Sequence, residues 1–368
     1  MKLVLLYLGK RGAGPVYSIE FAKALLERGV SILAIVSNNS ENVNQWTTLS
    51  RKFEKLELKT INTYKGYKGF IIKSLNILGF ARLAYLIREY APGFVFTPMI
   101  HPWHNILIAM LPEKIKRIKV IHDVSPHLGE SNTFSILLSK VDIGLSDVLV
   151  VLSQYSKKQL VNNGIKKDII VIPHANFNYY SRYVAPVTPK QIYYRIGFFG
   201  RINKYKGLDI LLKSWGTMIS VNSELKLLIA GNGDCSEYVD SFDQYKDSLE
   251  LHNRWISDKE VACLLSCVDL IILPYIEASQ SGVIPLALAL GKPVIVTGVG
   301  GLKEQVPLGC GLIIPANDSK ALSDVVMKLY DNPTKILEMG VNARKYANEA
   351  LAWDKSADIL LDHLKFYK

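Results

Sequence analysis

The strongest constraint on the fold is a repeated alternation of short apolar runs with helical segments. In the first half the apolar runs include LVLLYL, SILAIVS and VLVVLS. A second series continues through RIGFFG, LKLLIAG, VDLIILP and PVIVTG. Short buried strands that alternate with helices build parallel sheets covered by helices on both faces. The sequence therefore predicts two consecutive doubly wound α/β domains.

A polar, proline-containing stretch at about residues 174–190 separates the two series, as expected of a domain boundary. We expect an N-terminal domain over residues 1–180 and a second domain over residues 181–352. Residues 353–368 are predicted to form a helix that packs back toward the N-terminal domain. Ligands of parallel α/β sheets bind beyond the carboxyl ends of the strands, so the cleft between the two domains is the predicted site.

Composition limits the class of protein further. Hydrophobic residues make up 49% and charged residues 21% of the chain, which is ordinary for a globular protein. No apolar run approaches the roughly 18–20 residues of a membrane-spanning helix. The start, MKLVLLYLGK, reads as a first strand and not as a signal peptide. The four cysteines show no metal-ligand or disulfide spacing. A cytoplasmic protein is expected.

The positive charge is confined to one half of the chain. Residues 1–186 hold 24 lysines and arginines against 12 acidic residues, and the remainder holds 20 against 21. An anionic membrane surface, an anionic substrate or a plain solvated surface would each account for this excess. Nucleic acid is not an expected partner because no nucleic-acid-binding motif accompanies the charge. A dehydrogenase is excluded because the first turn lacks G-x-G-x-x-G.

A candidate phosphate site follows the strand RIGFFG. This strand ends at Gly200, and the next loop brings Arg201 and Lys206 to the start of a helix. A glycine lets a ligand approach the backbone, while two cations and a helix N-terminus attract phosphate oxygens. A basic surface loop with no ligand is the alternative that this segment alone leaves open.

A second candidate lies in LPYIEASQSGVIPLALALGKPVIVTGVGG. Small residues at Ser281 and Gly282 precede a helix, whose first backbone N–H groups favour an anion. Glu277, just before them, would be repelled by phosphate, so its carboxylate suits sugar hydroxyls or developing positive charge. Taken alone, the paired turn of Gly300 and Gly301 with Glu304 favours a plain strand-to-helix connection.

Taken together, these segments resemble the donor-binding domain of retaining GT-B glycosyltransferases of family 4, also called glycosyl transferases group 1. The matching stretches are FFGRINKYKGLDILLKSW, LLIAGNGD, DLIILPYIEASQSGVIPLALALGKPVI and TGVGGLKEQV. The first half is similar more weakly, through the Gly12–Gly14 turn and the stretches IHDVSPHLGE, VVLSQYSKKQL and VIPHANF. The resemblance implies a GT-B fold, in which two Rossmann-like doubly wound domains face a central cleft.

The resemblance also implies roles for particular residues. Arg201 and Lys206 would hold the donor diphosphate, Glu277 would contact the transferred sugar, and His122 would lie near the anomeric carbon. The other donor-binding positions it implies are Gly12, Gly14, Gly200, Gly231, Ser281, Gly282, Val283 and Glu304. The implied acceptor pocket comprises Asp123, His127 and Glu130.

One position departs from the family pattern. The second glutamate of the family motif, which holds the ribose hydroxyls, should lie near Pro285 or Leu286. Neither side chain can accept a hydrogen bond, and the spacing before Gly291 is one residue longer than usual. The departure leaves the nucleotide open and permits an alternative, a catalytically degenerate nucleotide-sugar-binding or regulatory module.

The expected function is that of a retaining, metal-independent glycosyltransferase. Its co-substrate would be a UDP-sugar or GDP-sugar, with no other cofactor. No metal is expected because the histidines of HDVSPHLGE lack the i, i+4 spacing of a helical ligand pair. The acceptor implied is a glycan or a polyprenyl-diphosphate-linked glycan, used in the synthesis of bacterial surface polysaccharide.

Residues 51–90 suggest where such an acceptor would be met. They contain nine lysines and arginines against three glutamates, and residues 67–90 show helical periodicity with cations beside an apolar stripe. A helix of this kind lies in a membrane interface or packs on the sheet as a crossover helix. We expect peripheral attachment to an anionic membrane, with Lys65, Lys68 and Lys73 contributing.

Overall fold

The structure is a computed structural model of the chain that describes residues 1–125, 133–183 and 194–367, with the backbone alone at Ser135. The predicted acceptor residues His127 and Glu130 lie outside the described residues.

The N-terminal half forms a seven-stranded parallel sheet in the order β3-β2-β1-β4-β5-β6-β7. Its strands are β1 Lys2–Tyr7, β2 Ser31–Ser37, β3 Leu56–Ile61, β4 Phe94–Thr97, β5 Lys116–Ile121, β6 Val148–Val151 and β7 Asp168–Val171. Its helices are α1 Ala13–Glu27, α2 Val43–Lys52, α3 Gly66–Ser74, α4 Ile77–Tyr90, α5 Pro102–Ala109, α6 Thr133–Leu145 and α7 Gln154–Asn162.

The C-terminal half forms a six-stranded parallel sheet in the order β10-β9-β8-β11-β12-β13. Its strands are β8 Arg195–Phe199, β9 Lys226–Ala230, β10 Leu249–His252, β11 Leu270–Leu273, β12 Val294–Thr297 and β13 Gly311–Ile314. The helices are α8 Leu208–Val221, α9 Val239–Gln244, α10 Asp258–Ser266, α11 Val283–Ala289, α12 Ser319–Tyr330, α13 Pro333–Glu349 and α14 Trp353–Leu364.

The two sheets confirm the predicted fold class of two doubly wound α/β units. In each sheet the strand order reverses beside the first strand, between β1 and β4 and between β8 and β11. Such reversal points open a crevice at the carboxyl ends of the strands. Most strands are mainly apolar, and Leu3, Val4, Leu5 and Leu6 of β1 are fully buried, because helices cover both faces of the sheet.

The last helix, α14, packs on the N-terminal half and not on the sheet that precedes it. The Trp353 ring meets the ring of Tyr17 edge-on at 5.1 Å between centroids, and Arg28, the residue after α1, pairs with Asp354 and Asp358. Beside this crossing, the backbone N–H of Asn176 donates to the Leu351 carbonyl at 2.8 Å. The chain therefore leaves the first sheet and returns to it at adjacent points.

Residues 67–90 differ from the single amphipathic helix that their periodicity predicts. The segment is divided into α3 and α4, which meet at an angle of 70°. Asn76 causes the break, because its side chain accepts the backbone N–H of Gly79 at 3.0 Å and caps a new helix. No single helix in the described part of the chain is long and apolar enough to cross a membrane, although this bent pair meets the same criterion of length and composition.

Candidate active site between the two domains

A cavity of about 640 Å³ lies between the two domains, beyond the carboxyl ends of β8, β9 and β11. Of the predicted site residues, nine line this cavity. They are Gly12 and Asp123 from the N-terminal half and Gly200, Arg201, Lys206, Gly231, Ser281, Gly282 and Val283 from the C-terminal half. The structure thus brings together residues that are far apart in the sequence. Gly12 and Val283, which are 271 positions apart, both line this cavity.

Two glycines allow the backbone to form the floor of the cavity. Gly200 and Gly231 have φ values of 117° and 149°, which side-chain-bearing residues rarely adopt. A Cβ atom on Gly200 would lie 2.8 Å from Nζ of Lys206, and one on Gly231 would lie 2.0 Å from the Gly200 carbonyl oxygen. Any larger residue at either position would displace the lysine or the neighbouring strand end.

Lys206 is the most distinctive group in the cavity. Its side chain is almost entirely buried, and its Nζ donates to the hydroxyl of Tyr275 at 3.0 Å. The Tyr275 hydroxyl lies 3.3 Å from Oγ of Ser281, which orders the opposite wall. Among the described residues no carboxylate forms an ion pair with Lys206. An ammonium group has three donors, and a buried charge without a counter-charge is costly. This geometry favours an anionic ligand.

The walls of the cavity carry an excess of positive charge. Arg11, Arg201 and Arg254 lie with Lys206 on the lining, against two carboxylates, Asp123 and Asp258. Arg254 is partly neutralised because it pairs with Glu260 at 2.6 Å, outside the lining. A cleft lined by one sign of charge attracts ligands of the opposite sign.

The loop before α11 differs from the predicted row of open N–H groups. The N–H of Ser281 donates to Oε1 of Gln305 at 2.7 Å, and the N–H of Val283 donates to Oγ of Ser281 at 3.3 Å. Side chains of the protein therefore already occupy these two donors. The segment lines the cavity, but it does so as a braced loop.

Three predicted donor residues lie outside the lining of the cavity. Gly14 is buried within the first turn of α1, and Glu277 is half-buried in the loop that follows β11. Glu304 lies on a second cavity of about 280 Å³, where its carboxylate accepts the N–H groups of Gln154 and Tyr155. Of the two positions expected for the family's second glutamate, Leu286 lines the main cavity and Pro285 lines the second one.

His122 lies directly behind Asp123, at the carboxyl end of β5. Its Nε2 donates to the carbonyl oxygen of Pro98 at 2.8 Å, and the ring of Tyr17 meets it edge-on at 5.4 Å. Burial lowers the pKa of His122 below its usual range, so the ring is neutral at physiological pH. The neutral ring with Nε2 protonated presents Nδ1 as an acceptor.

Asp258 and Trp255 are cavity residues that sequence reasoning missed. Asp258 accepts a hydrogen bond from the Tyr180 hydroxyl at 3.1 Å, and burial raises the pKa of its carboxyl group. The guanidinium of Arg11 lies 5.6 Å from the ring of Trp255, across the mouth of the cavity. The available signal was the capping box Ser257-x-x-Glu260, which places Asp258 in the first turn of a helix.

In the described ranges, the cysteines and the other residues that commonly bind metals do not form a metal site. All four cysteines are free, and Cys263 and Cys267 are exposed on α10. Within residues 1–125, 133–183 and 194–367, no group of three or more histidines, cysteines and acidic residues is arranged to hold a metal ion.

Known proteins resemble this chain in fold and, mainly over the second domain, in sequence. Residues 193–332 match the family model described as glycosyl transferases group 1. A D-inositol 3-phosphate glycosyltransferase of Arthrobacter is 29% identical over 45% of this chain and 41% of its own length. An uncharacterized glycosyltransferase of Methanocaldococcus jannaschii is 25% identical over 78% of this chain and 83% of its own. Anabaena HepE, solved with UDP and glucose, superposes with a TM-score of 0.72 at 17% identity, with 99% of each chain covered.

The fold and the interdomain cavity define a GT-B protein. The second domain of the chain, over residues 193–332, matches the group 1 glycosyltransferases. The match spans less than half the length of the Arthrobacter protein, and the likeness to HepE concerns the fold.

Proposed function

We propose that the protein is a glycosyltransferase that takes its sugar from a nucleotide-diphosphate donor. The observation that carries this proposal is the buried ammonium of Lys206, which has no carboxylate partner among the described residues and lies beside Arg201 in an interdomain cavity. A diphosphate supplies the missing negative charge, because phosphate oxygens accept several charge-assisted hydrogen bonds at once. The match of residues 193–332 to the group 1 family supports the same conclusion.

The reaction we propose is transfer with retention of configuration and without a protein nucleophile. The bond between the anomeric carbon and the phosphate oxygen breaks, and a bond from the acceptor hydroxyl to the same carbon forms on the same face. The acceptor proton passes to an oxygen of the departing diphosphate. Lys206 and Arg201 stabilise the negative charge that develops on that group. We propose that this stabilisation replaces a metal ion.

The N-terminal wall would serve the acceptor side of the reaction. Asp123 lines the cavity opposite the cation pair, and His122 lies behind it with Nδ1 as an acceptor. Either group is suited to orient a hydroxyl by hydrogen bonding. We propose that Glu277, four residues before the cavity residue Ser281, contacts the transferred sugar.

A thermal-shift screen tests the donor class. UDP, GDP and their sugars, each added at about 100 times its dissociation constant, should stabilise the fold by about 2.7 kcal/mol. One nucleotide should act at far lower concentration than the other, and EDTA should leave both the shift and the transfer rate unchanged. If neither nucleotide raises the melting temperature at millimolar concentration, the donor proposal is incorrect.

For the acceptor we propose a glycan, either free or linked to a polyprenyl diphosphate, in the synthesis of a surface polysaccharide. The support is a set of exposed apolar side chains on the N-terminal half, Tyr67 at the start of α3 and Ile72, Leu75 and Leu78 around the bend between α3 and α4. We call this set the bend patch. Ile72, Leu75 and Leu78 are 70%, 76% and 74% exposed. No acidic residue occurs between Glu57 and Glu89, so the patch suits an anionic lipid surface.

The second candidate is a binding module that has lost catalysis. Neither Pro285 nor Leu286 can supply the ribose-binding carboxylate that was expected there, and Leu286 gives the cavity an apolar wall. Such a module would bind the nucleotide-sugar and leave it intact. Release of free nucleotide from a donor sugar by the purified protein distinguishes the two, because only an enzyme produces it catalytically.

A further inference from the structure

The N-terminus of α7 contacts the C-terminal domain. Glu304 lies in the short helix Leu302–Gln305 that follows β12. Its carboxylate accepts the backbone N–H groups of Gln154 at 2.7 Å and Tyr155 at 2.9 Å. The first N–H groups of a helix have no partner within it and carry partial positive charge. A side chain of one domain therefore caps a helix of the other.

A second contact joins the same two segments. Oγ of Ser153, the residue that precedes α7, donates to the carbonyl oxygen of Ser279 at 3.0 Å. The backbone of Gly301 approaches so closely that a Cβ atom there would lie 2.9 Å from the Ser153 hydroxyl. Ser279 begins the loop whose Ser281 and Gly282 line the cavity. The N-terminal domain thus touches the outer side of the loop that faces the ligand.

The residue after Glu304 holds the inner part of that loop. Oε1 of Gln305 accepts the N–H of Ser281 at 2.7 Å, and Nε2 of Gln305 donates to the carbonyl oxygen of Ser281 at 3.1 Å. Both backbone groups of one cavity residue are fixed by one amide. Glu304 and Gln305 lie in the same short helix, so a shift of that helix would move the contacts with α7 and with Ser281 together.

We propose that Glu304 and Gln305 are positioning residues that couple closure of the two domains to the shape of the donor loop, residues 279–283. Capping of α7 by Glu304, which we call the interdomain latch, holds the loop in its reactive arrangement through Gln305. This inference rests on the proposed function, since the loop faces the cavity assigned to the donor. The carboxylate of Glu304 is exposed to solvent, so salt screens the latch. It can open in each catalytic cycle to admit substrate and release product.

The test compares Glu304→Ala and Gln305→Ala with Lys303→Ala, whose exposed side chain belongs neither to the latch nor to the cavity. Glu304→Ala should lower kcat by about ten- to a hundredfold. Its affinity for the free nucleotide should stay within about twofold of the wild-type value, because Lys206 and Arg201 are untouched. Gln305→Ala should show the same division, and Lys303→Ala should behave as wild type. Glu304→Gln keeps one acceptor oxygen without the charge and should recover part of the loss.

Small-angle X-ray scattering supplies a measurement that needs no catalysis. In the absence of ligand, Glu304→Ala and Glu304→Gln should have a larger radius of gyration than Lys303→Ala at the same salt concentration. Wild-type kcat together with wild-type scattering in Glu304→Ala would overturn the latch. Equal losses of kcat and nucleotide affinity would show that Glu304 binds the nucleotide instead. A wild-type protein that neither transfers nor hydrolyses any donor refutes the proposed function, whereas the scattering comparison still decides the latch.

Discussion

At the scale of single residues, Lys206 connects burial to function. The side chain is 8% exposed, yet the described contacts of its ammonium group are with a hydroxyl and two aromatic rings. Interactions with an aromatic face offset only part of the cost of removing a cation from water. The empty protein should therefore be less stable than its packing allows, and binding of an anion should recover the difference.

The substitution Lys206→Met separates these two effects. We expect a loss of roughly ten- to a hundredfold in affinity for a nucleoside diphosphate, because a hydrogen bond to a charged group contributes about 1.5–3 kcal/mol. The free energy of unfolding of the unliganded protein should stay the same or rise. Calorimetry and urea denaturation measure the two quantities. Lys213→Met, an exposed position on α8, is the control. Wild-type affinity of Lys206→Met for the nucleoside diphosphate would rule out the proposed phosphate site at Lys206 and Arg201.

The location of Arg201 and Lys206 was predictable because a glycine-ended strand, a cation pair and a helix start follow one another in the sequence. Asp258 was not, since it reaches the same cavity from a helix that follows a different strand. Glu304 was predicted to bind the donor, but its partners Gln154 and Tyr155 are about 150 residues away. Local sequence carries no information about such a partner. The roles of these residues in catalysis stay predictions.

At the scale of secondary-structure elements, the strands were the most predictable part of the fold. Most are apolar runs because they are buried on both faces, whereas the edge strands β3 and β10 are partly exposed and contain charged residues. The break between α3 and α4 was not predicted, because the apolar residues continue through Leu75 and Ile77 without a change of periodicity. Asn76 was the available signal, as an asparagine can cap a helix. The bend leaves apolar side chains of both helices exposed, whereas α4 buries Phe80 and Ile87.

The bend patch leads to a prediction about membrane binding. The protein should co-sediment with anionic liposomes at low salt and be released at high salt, because each cation near the surface contributes about 1 kcal/mol. The double reversal Lys65→Glu and Lys68→Glu should weaken binding by roughly tenfold or more. Charge reversal of Lys213, in the other domain, should have no such effect. Equal recovery with neutral and anionic liposomes would leave the patch without a lipid partner.

At the scale of the whole molecule, α14 is an integral part of the first domain's core. Its residues Trp353, Ala357, Leu360 and Leu364 pack with α1 and the first sheet. The sequence predicted a terminal helix directed toward that half, but it could not show which side chains enter the core. Contacts between residues more than 300 positions apart, such as Arg28 with Asp358, are specified only by the folded chain.

We expect Trp353→Ala to destabilise the N-terminal half by about 3–5 kcal/mol, the usual cost of truncating a buried aromatic side chain. Ile359→Ala, at a largely exposed position on the same helix, should change the free energy of unfolding by less than about 0.5 kcal/mol. Urea denaturation followed by circular dichroism measures both. A similar small effect of the two substitutions would mean that α14 is only loosely attached.

The return of the chain to its first domain also limits how the two domains can move. The polypeptide passes between them twice, and the two passages are bonded side by side, through Asn176 with Leu351 and through Asn178 with Asn348 at 2.8 Å. Two adjacent covalent connections should act together as an interdomain hinge. We expect them to favour a swing of one domain about a single axis over twisting or sliding. After each opening, the domains should therefore close with Arg201 and Lys206 in the same place opposite Asp123. The path of the chain thus fixes how the two sides of the site align.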